Sequence, residues 1–122
     1  MSNYYQFKNN VNDGSAYLVS GKPYATGSLS IPAIGTTKVE FPEVTRWIYI
    51  ANRDSAGSHR LRVAFTEAGL TDSSLYFEIL ADENSGILEL RTNEIWLRGD
   101  TGTVDPVDVV AGLTSIPSSS LL

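Results

Sequence analysis

The chain has 122 residues, no cysteine and a formal net charge of −5. This length is typical of one domain, and the lack of cysteine excludes disulfide frameworks, thiolate catalysis and zinc–cysteine sites. The acidic balance argues against binding to a phosphate backbone, which needs clustered positive charge. No apolar run approaches the roughly 18 residues of a membrane span, and the N-terminus lacks a signal peptide's apolar core. We therefore expect a soluble protein, made in the cytoplasm, that binds neither nucleic acid nor membrane.

The composition divides the chain into an N-terminal arm, residues 1–14, a β domain, residues 15–113, and a C-terminal tail, residues 114–122. The arm is polar and rich in Asn, but it also carries Tyr4, Tyr5 and Phe7. These aromatic residues suit either an arm that docks on another surface or a first edge strand of the domain. The tail contains Pro and several Ser and ends in Leu121 and Leu122.

Short segments of alternating apolar and polar residues, separated by turn signals, predict β-strands. In chain order they are residues 15–20, 24–31, 37–41, 47–51, 61–65, 75–80, 87–91, 94–98 and 107–113. Residues 67–74 are predicted to form a loop and residues 82–86, DENSG, a turn. So many short strands at a spacing of about ten residues predict an all-β protein. We expect an antiparallel, jelly-roll-like β-sandwich of about eight strands with extended N- and C-terminal arms.

Two of these segments are predicted to form the centre of one sheet. Residues 47–51 are apolar on both faces, which is typical of a central strand that is covered on each side. Residues 61–65 follow after a turn-rich stretch and are predicted to be its antiparallel neighbour, with Leu61, Val63 and Phe65 facing the core.

The later segments are predicted to face the core through alternate residues. In residues 75–80 the inward side chains are Leu75, Phe77 and Ile79. Thr92 and Asn93 allow a tight hairpin between residues 87–91 and 94–98. In the second of these strands, the core-facing side chains are Ile95 and Leu97, and Trp96 faces outward.

The sequence predicts no catalytic, cofactor-binding or metal-binding residues. His59 is the single histidine, and we interpret it as a solvated loop residue because no GxSxG elbow supplies a nucleophile. Two groups of acidic residues, Asp100, Asp105 and Asp108, and Asp72, Asp82 and Glu83, lack the DxDxDG pattern of calcium loops. They are interpreted as turn formers.

A set of exposed Arg and Trp residues predicts a protein interface. If the strands face the core as described, Arg60, Arg62, Trp96 and Arg98 face away from it, and Trp and Arg are enriched where proteins bind one another. The aromatic residues of the arm and the terminal leucines favour the same function. The complete predicted partner interface is Tyr4, Tyr5, Phe7, Arg60, Arg62, Trp96, Arg98, Leu121 and Leu122. The alternative is a carbohydrate- or receptor-binding sandwich, with sugars stacked on Trp47, Tyr49, Tyr76 or Trp96.

The strand phrases GTTKVEFPEVTRWIYIAN, LRVAFTEAG, YFEIL, LELRTNEIWLRG and VDVVAGLTSIP, within residues 35–117, resemble small all-β virion proteins of tailed bacteriophages that decorate or cement a capsid. The resemblance implies a non-enzymatic structural protein on the capsid surface of a virion. Its expected partners are the major capsid protein and copies of itself, often as a homotrimer. The family supplies no catalytic residues.

Overall fold

The computed structural model describes residues 22–54, 59–71 and 75–117. Its strands are β1 Lys22–Ile31, β2 Thr37–Glu40, β3 Glu43–Asn52, β4 Leu61–Ala64, β5 Phe77–Ile79, β6 Glu83–Leu88, β7 Glu94–Gly99 and β8 Val104–Pro117. A short helix, α1 Glu67–Thr71, lies between β4 and β5. The predicted strand 15–20 and the predicted interface residues Tyr4, Tyr5, Phe7, Leu121 and Leu122 lie outside the described residues. The domain boundaries after residues 14 and 113 stay predictions.

The strands form two antiparallel four-stranded sheets in a jelly-roll arrangement, which confirms the predicted fold class. Sheet 1 has the order β1-β8-β3-β6, and sheet 2 has the order β2-β7-β4-β5. Each strand of the first half pairs with its mirror-image strand of the second half, giving the pairs β1·β8, β2·β7, β3·β6 and β4·β5. The pairs alternate between the two sheets, as they do when an antiparallel ribbon is wound into two packed layers.

The core lies between the two sheets and is built from alternate residues of each strand. Sheet 1 contributes Ile48, Ile50, Val107, Val109 and Ala111, and sheet 2 contributes Leu61, Val63, Ile95 and Leu97, all with no exposed surface. Each such aliphatic side chain stabilises the fold by about 1.5–3 kcal/mol through its removal from water. On one side of the sandwich, Tyr24 and Phe41 meet edge to face at 5.4 Å.

The predicted pairing of residues 47–51 with 61–65 is wrong. β3 lies between β8 and β6 in sheet 1, whereas β4 lies between β7 and β5 in sheet 2. The two strands therefore lie in different layers of the sandwich and do not pair. Alternation shows which face of a strand is apolar, but it does not identify the strand's neighbour.

The predicted hairpin at Thr92 and Asn93 is also wrong, because β6 and β7 lie in different sheets. The connection between β6 and β7 is first hydrogen-bonded to β3 of sheet 1 and then passes to sheet 2. The Thr45 hydroxyl donates to the carbonyl oxygen of Leu90 at 2.9 Å and accepts from the amide of Thr92 at 3.0 Å. Thr45 is completely buried, so these bonds fix the path of the connection.

Phe65 and Leu75 do not face the core as predicted. Phe65 is 40% exposed and Leu75 is 72% exposed, because β4 ends at Ala64 and β5 begins only at Phe77. Part of the predicted loop 67–74 is instead α1. Its start is capped by Thr66, whose hydroxyl oxygen accepts a hydrogen bond from the amide of Gly69 at 3.1 Å, an interaction typical of a helix N-terminus.

Two strand ends also differ from the prediction. The turn predicted over residues 82–86 lies earlier: the amide of Glu83 donates to the carbonyl oxygen of Leu80, and Asp82 has a φ of 62°. β6 therefore begins at Glu83. β8 runs on to Pro117, where the hydroxyl of buried Thr114 donates to the carbonyl oxygen of Val44 at 2.8 Å.

Candidate protein interface

The outer face of sheet 2 brings together the predicted Arg and Trp residues. The register pairs Arg62 with Arg98 and Ala64 with Trp96 across β4 and β7. These residues alternate with fully buried core residues, so they point away from the core. We call this surface the ion-paired face; its residues are Lys38, Arg60, Arg62, Glu78, Trp96 and Arg98. The structure thus assembles the four described residues of the predicted interface, while their role as an interface stays a prediction.

The guanidinium groups of this face are bound within the molecule. Glu78 accepts from Arg60 Nη1 at 3.2 Å through Oε1 and from Arg62 Nε at 3.1 Å through Oε2. The Arg62 guanidinium carbon also lies 4.8 Å from the centre of the Tyr76 ring. Arg98 Nε donates to the carbonyl oxygen of Ala33 at 3.0 Å. These contacts offset the repulsion between Arg62 and Arg98, which lie directly opposite one another.

Trp96 is half-buried and is held by charged neighbours on both sides. Its Nε1 donates to Glu94 Oε2 at 2.9 Å, and Lys38 Nζ lies 5.4 Å from its ring centre. The hydrogen bond from Lys38 to Glu40, with the nearby negative charges of Glu40, Glu94 and Glu67, raises the pKa of Lys38 above that of an ordinary lysine. The ammonium group is therefore charged wherever it contacts the indole at physiological pH.

The outer face of sheet 1 has a different character, because it is largely apolar. One row of residues crosses all four strands: Ala25 pairs with Val110, Val110 with Tyr49, and Tyr49 with Ile87. Ala25 is exposed, Val110 and Tyr49 are half-buried, and Ile87 is 64% exposed. An antiparallel sheet that faces water normally carries polar residues at such positions.

Trp47 and Pro23 extend this apolar surface by one more row. Pro23 pairs with Gly112 and Trp47 also pairs with Gly112. The indole of Trp47 lies against Gly112, where an added Cβ would collide with the indole nitrogen. A glycine at this position therefore lets the ring lie close to the sheet. We call this surface the aromatic face; its residues are Pro23, Ala25, Trp47, Tyr49, Ile87 and Val110.

A polar cluster limits the aromatic face at one end. Asp108 pairs with Ala51 and points outward. Its carboxylate accepts from the amide of Ser28 at 2.9 Å and from Arg53 Nη1 at 3.0 Å. The charge of Asp108 is thus balanced within the molecule. The sequence analysis missed the aromatic face: the two-sided apolar pattern of residues 47–51 signalled it, but we expected a cover on both sides of β3.

His59 lies beside polar groups but does not have the geometry of a catalytic base. Its Nδ1 is 3.5 Å from Thr101 Oγ1 and 3.9 Å from Asp100 Oδ1. A hydrolytic triad places the acid at one ring nitrogen and the hydroxyl at the other, whereas here both approach the same nitrogen. The opposite edge of the ring lies against Gly102, where an added Cβ would come within 2.6 Å of Nε2.

Within the three described ranges, no three His, Asp or Glu side chains are grouped so that they could hold a metal ion. In the same part of the chain, no helix has the length and hydropathy needed to cross a membrane. Comparison with protein-family models gives no match, and comparison with curated proteins gives no significant match.

Proposed function

We propose that this chain is a non-enzymatic structural protein of a virion, and specifically a capsid decoration protein. In this role it binds the major capsid protein and copies of itself on the surface of a phage head, and it stabilises the shell by covering seams between subunits. The proposal joins the resemblance of the strand phrases between residues 35 and 117 to the two outer faces of the sandwich.

The observation that carries the proposal is the aromatic face. Isolated sandwiches keep their outer faces polar, and contiguous exposed apolar patches mark sites of interaction. The row from Ala25 to Ile87 spans the full width of sheet 1. Exposure of apolar side chains to water costs free energy, and this cost is removed when another protein covers the surface.

The ion-paired face supports the shell-binding part of the proposal. Binding costs conformational entropy for each side chain that becomes ordered, and side chains that are already held bind with less of this cost. Trp96 is held by Glu94 and Lys38, and Arg62 by Glu78 and Tyr76. This face could therefore contact a capsid subunit as a preformed surface.

The fold agrees with the proposal but does not decide it. Jelly rolls form viral capsid domains and also lectin domains, and one fold hosts many functions. The features that favour an assembly role are the two outer faces described above, since neither is a pocket with convergent reactive groups.

Immunogold electron microscopy of native particles tests the proposal. Antibody raised against the recombinant chain is applied to virions purified from the chain's own source, with pre-immune serum as the control. We expect gold label over the heads. Label confined to tails would transfer the proposal to a tail or fibre protein, and particles that carry no label would refute it.

A second candidate function is carbohydrate or receptor binding by a tail protein. It is favoured by Trp47 and Tyr49, two partly exposed aromatic side chains on one flat face, because sugars stack on such rings. Trp96 fits this function less well because Lys38 occupies the space near its ring. Binding on a glycan array that is lost in Trp47→Ala would establish this function, and an array without binding would exclude it for the glycans present.

A further inference from the structure

We infer that the aromatic face binds the aromatic face of a second copy of this chain across a two-fold axis. The inference rests on the proposed function, since it names the partner that covers the surface on which that proposal depends. Two sheets pack face to face when their adjoining residues interlock at a spacing of about 10 Å. The outer side of sheet 1 carries apolar residues that can interlock in this way, at positions where a solvated sheet carries polar side chains.

The outer side of sheet 1, with the aromatic face as its apolar part and the Asp108 cluster at one end, is as large as the smallest stable interfaces. Four strands at about 4.8 Å spacing and a β3 of 10 residues at a rise of about 3.3 Å give this outer side about 19 by 33 Å, or about 600 Å². Two such faces bury about 1,200 Å² together, and specific interfaces begin at about this value. Interfaces at this lower end are typical of weak, reversible association, so we expect a dimer that dissociates on dilution.

The charge distribution permits two copies to meet at this face despite a net charge of −5 for each chain. Asp108 is neutralised by Arg53. The carboxylates of Glu40, Glu78 and Glu94 lie on the opposite side of the sandwich, where they contact Lys38, Arg60 and Arg62. At a separation greater than about 8 Å, exposed charges are largely screened at physiological salt.

A two-fold dimer suits a single self-complementary surface. In a two-fold interface both copies use the same patch, whereas a closed trimer brings two different patches of each copy together. The aromatic face is one contiguous patch centred on Tyr49 and Val110. The face therefore points to a dimer and not to the homotrimer that the resemblance implies.

Analytical ultracentrifugation of the full chain tests the inference over about 1 μM to 1 mM, concentrations over which a weak dimer forms and dissociates. The wild type should shift from the 13.3 kDa of one chain to twice that mass. The variant Ala25→Glu/Ile87→Glu places like charges in the interface and should weaken association by about 100-fold or more. Both residues are exposed in the single chain, so thermal melting should show an intact fold.

Ile34→Glu is the matched control, because Ile34 is 89% exposed and lies in the connection between β1 and β2. It should dimerise like the wild type. A wild type that is monomeric at the highest concentration, a trimer mass, or a double variant that dimerises normally would overturn the inference. The labelling of native particles is a separate measurement: a monomer found on heads refutes only the dimer, and a dimer absent from particles refutes only the virion function.

Discussion

Removal of the Asn52 side chain should destabilise the protein strongly, because Asn52 joins the two sheets through hydrogen bonds. It lies at the end of β3 in sheet 1 and has no exposed surface. Its Nδ2 donates to the carbonyl oxygens of His59 at 2.9 Å and Ile79 at 3.0 Å. Its Oδ1 accepts from the amide of Asp54 at 3.0 Å. One amide group thus satisfies three backbone groups.

The expected loss follows from those three partners. Asn52→Ala removes a hydrogen-bond partner from two carbonyl oxygens and one amide, and each buried polar group that is left without a partner costs about 1–3 kcal/mol. Water that enters the vacated space can restore part of the bonding. We therefore expect Asn52→Ala to lower the free energy of unfolding by about 3–5 kcal/mol, a large share of the 5–15 kcal/mol that is typical of a domain.

Urea unfolding followed by circular dichroism measures this loss, provided that the wild type and variant have the same m-value. The matched control is Asn84→Ala, because Asn84 is exposed and its side chain accepts a hydrogen bond from the amide of Gly86. The control should lose less than about 1 kcal/mol. If both variants lose the same small amount, the role assigned to Asn52 is incorrect.

Three further predictions concern other parts of the molecule. In urea unfolding, Leu97→Ala should lower the free energy of unfolding by about 2–5 kcal/mol because Leu97 is fully buried. Phe65→Ala should lower it by only about 1 kcal/mol because Phe65 is 40% exposed. Equal losses would contradict the assignment of the core. By NMR, the Lys38 ammonium should titrate at a higher pH than an ordinary lysine, and Glu40→Gln should lower its pKa. Because the folded-state pKa is raised, the stabilising contribution of Lys38 is complete below the unfolded-state pKa and is lost as pH rises through the folded-state pKa. Trp96→Ala should leave the thermal melting cooperative but weaken binding to capsid shells in co-sedimentation; unchanged binding would remove Trp96 from the interface.

The local strand pattern was predictable from the sequence, but the pairing was not. The alternation of apolar and polar residues correctly predicted that Val39, Ile95 and Leu97 face the core. Successive side chains of a strand point to opposite faces, so apolar residues at every second position mark the inward face. The neighbours of β3 and β4 are set by contacts between residues far apart in the chain. Nothing in the local pattern shows that β3 and β4 lie in different sheets or that Asn52 bonds to Ile79.

For the candidate interface too, the direction of the side chains was predictable from the sequence but their partners were not. Arg62, Trp96 and Arg98 were placed on the outside because their neighbours in sequence are apolar, and the structure has them there. The Glu78 carboxylate that binds Arg62 comes from another strand and could not be inferred. For Tyr49, the sequence could not show how much of the side chain is exposed, because a partly exposed apolar residue and a covered one give the same pattern.

The nested order of the strand pairs has a consequence for synthesis of the protein. β4 and β5 are close in the chain, whereas Lys22 of β1 must meet Leu113 of β8. β8 is also an interior strand of sheet 1, with β1 and β3 on its two sides. A ribosome must therefore release the chain through β8 before β1 and β3 can be joined, and until then their unpaired edges remain open to chaperones or to other nascent chains. Distant pairings of this kind also make folding slow compared with that of helical proteins of similar size.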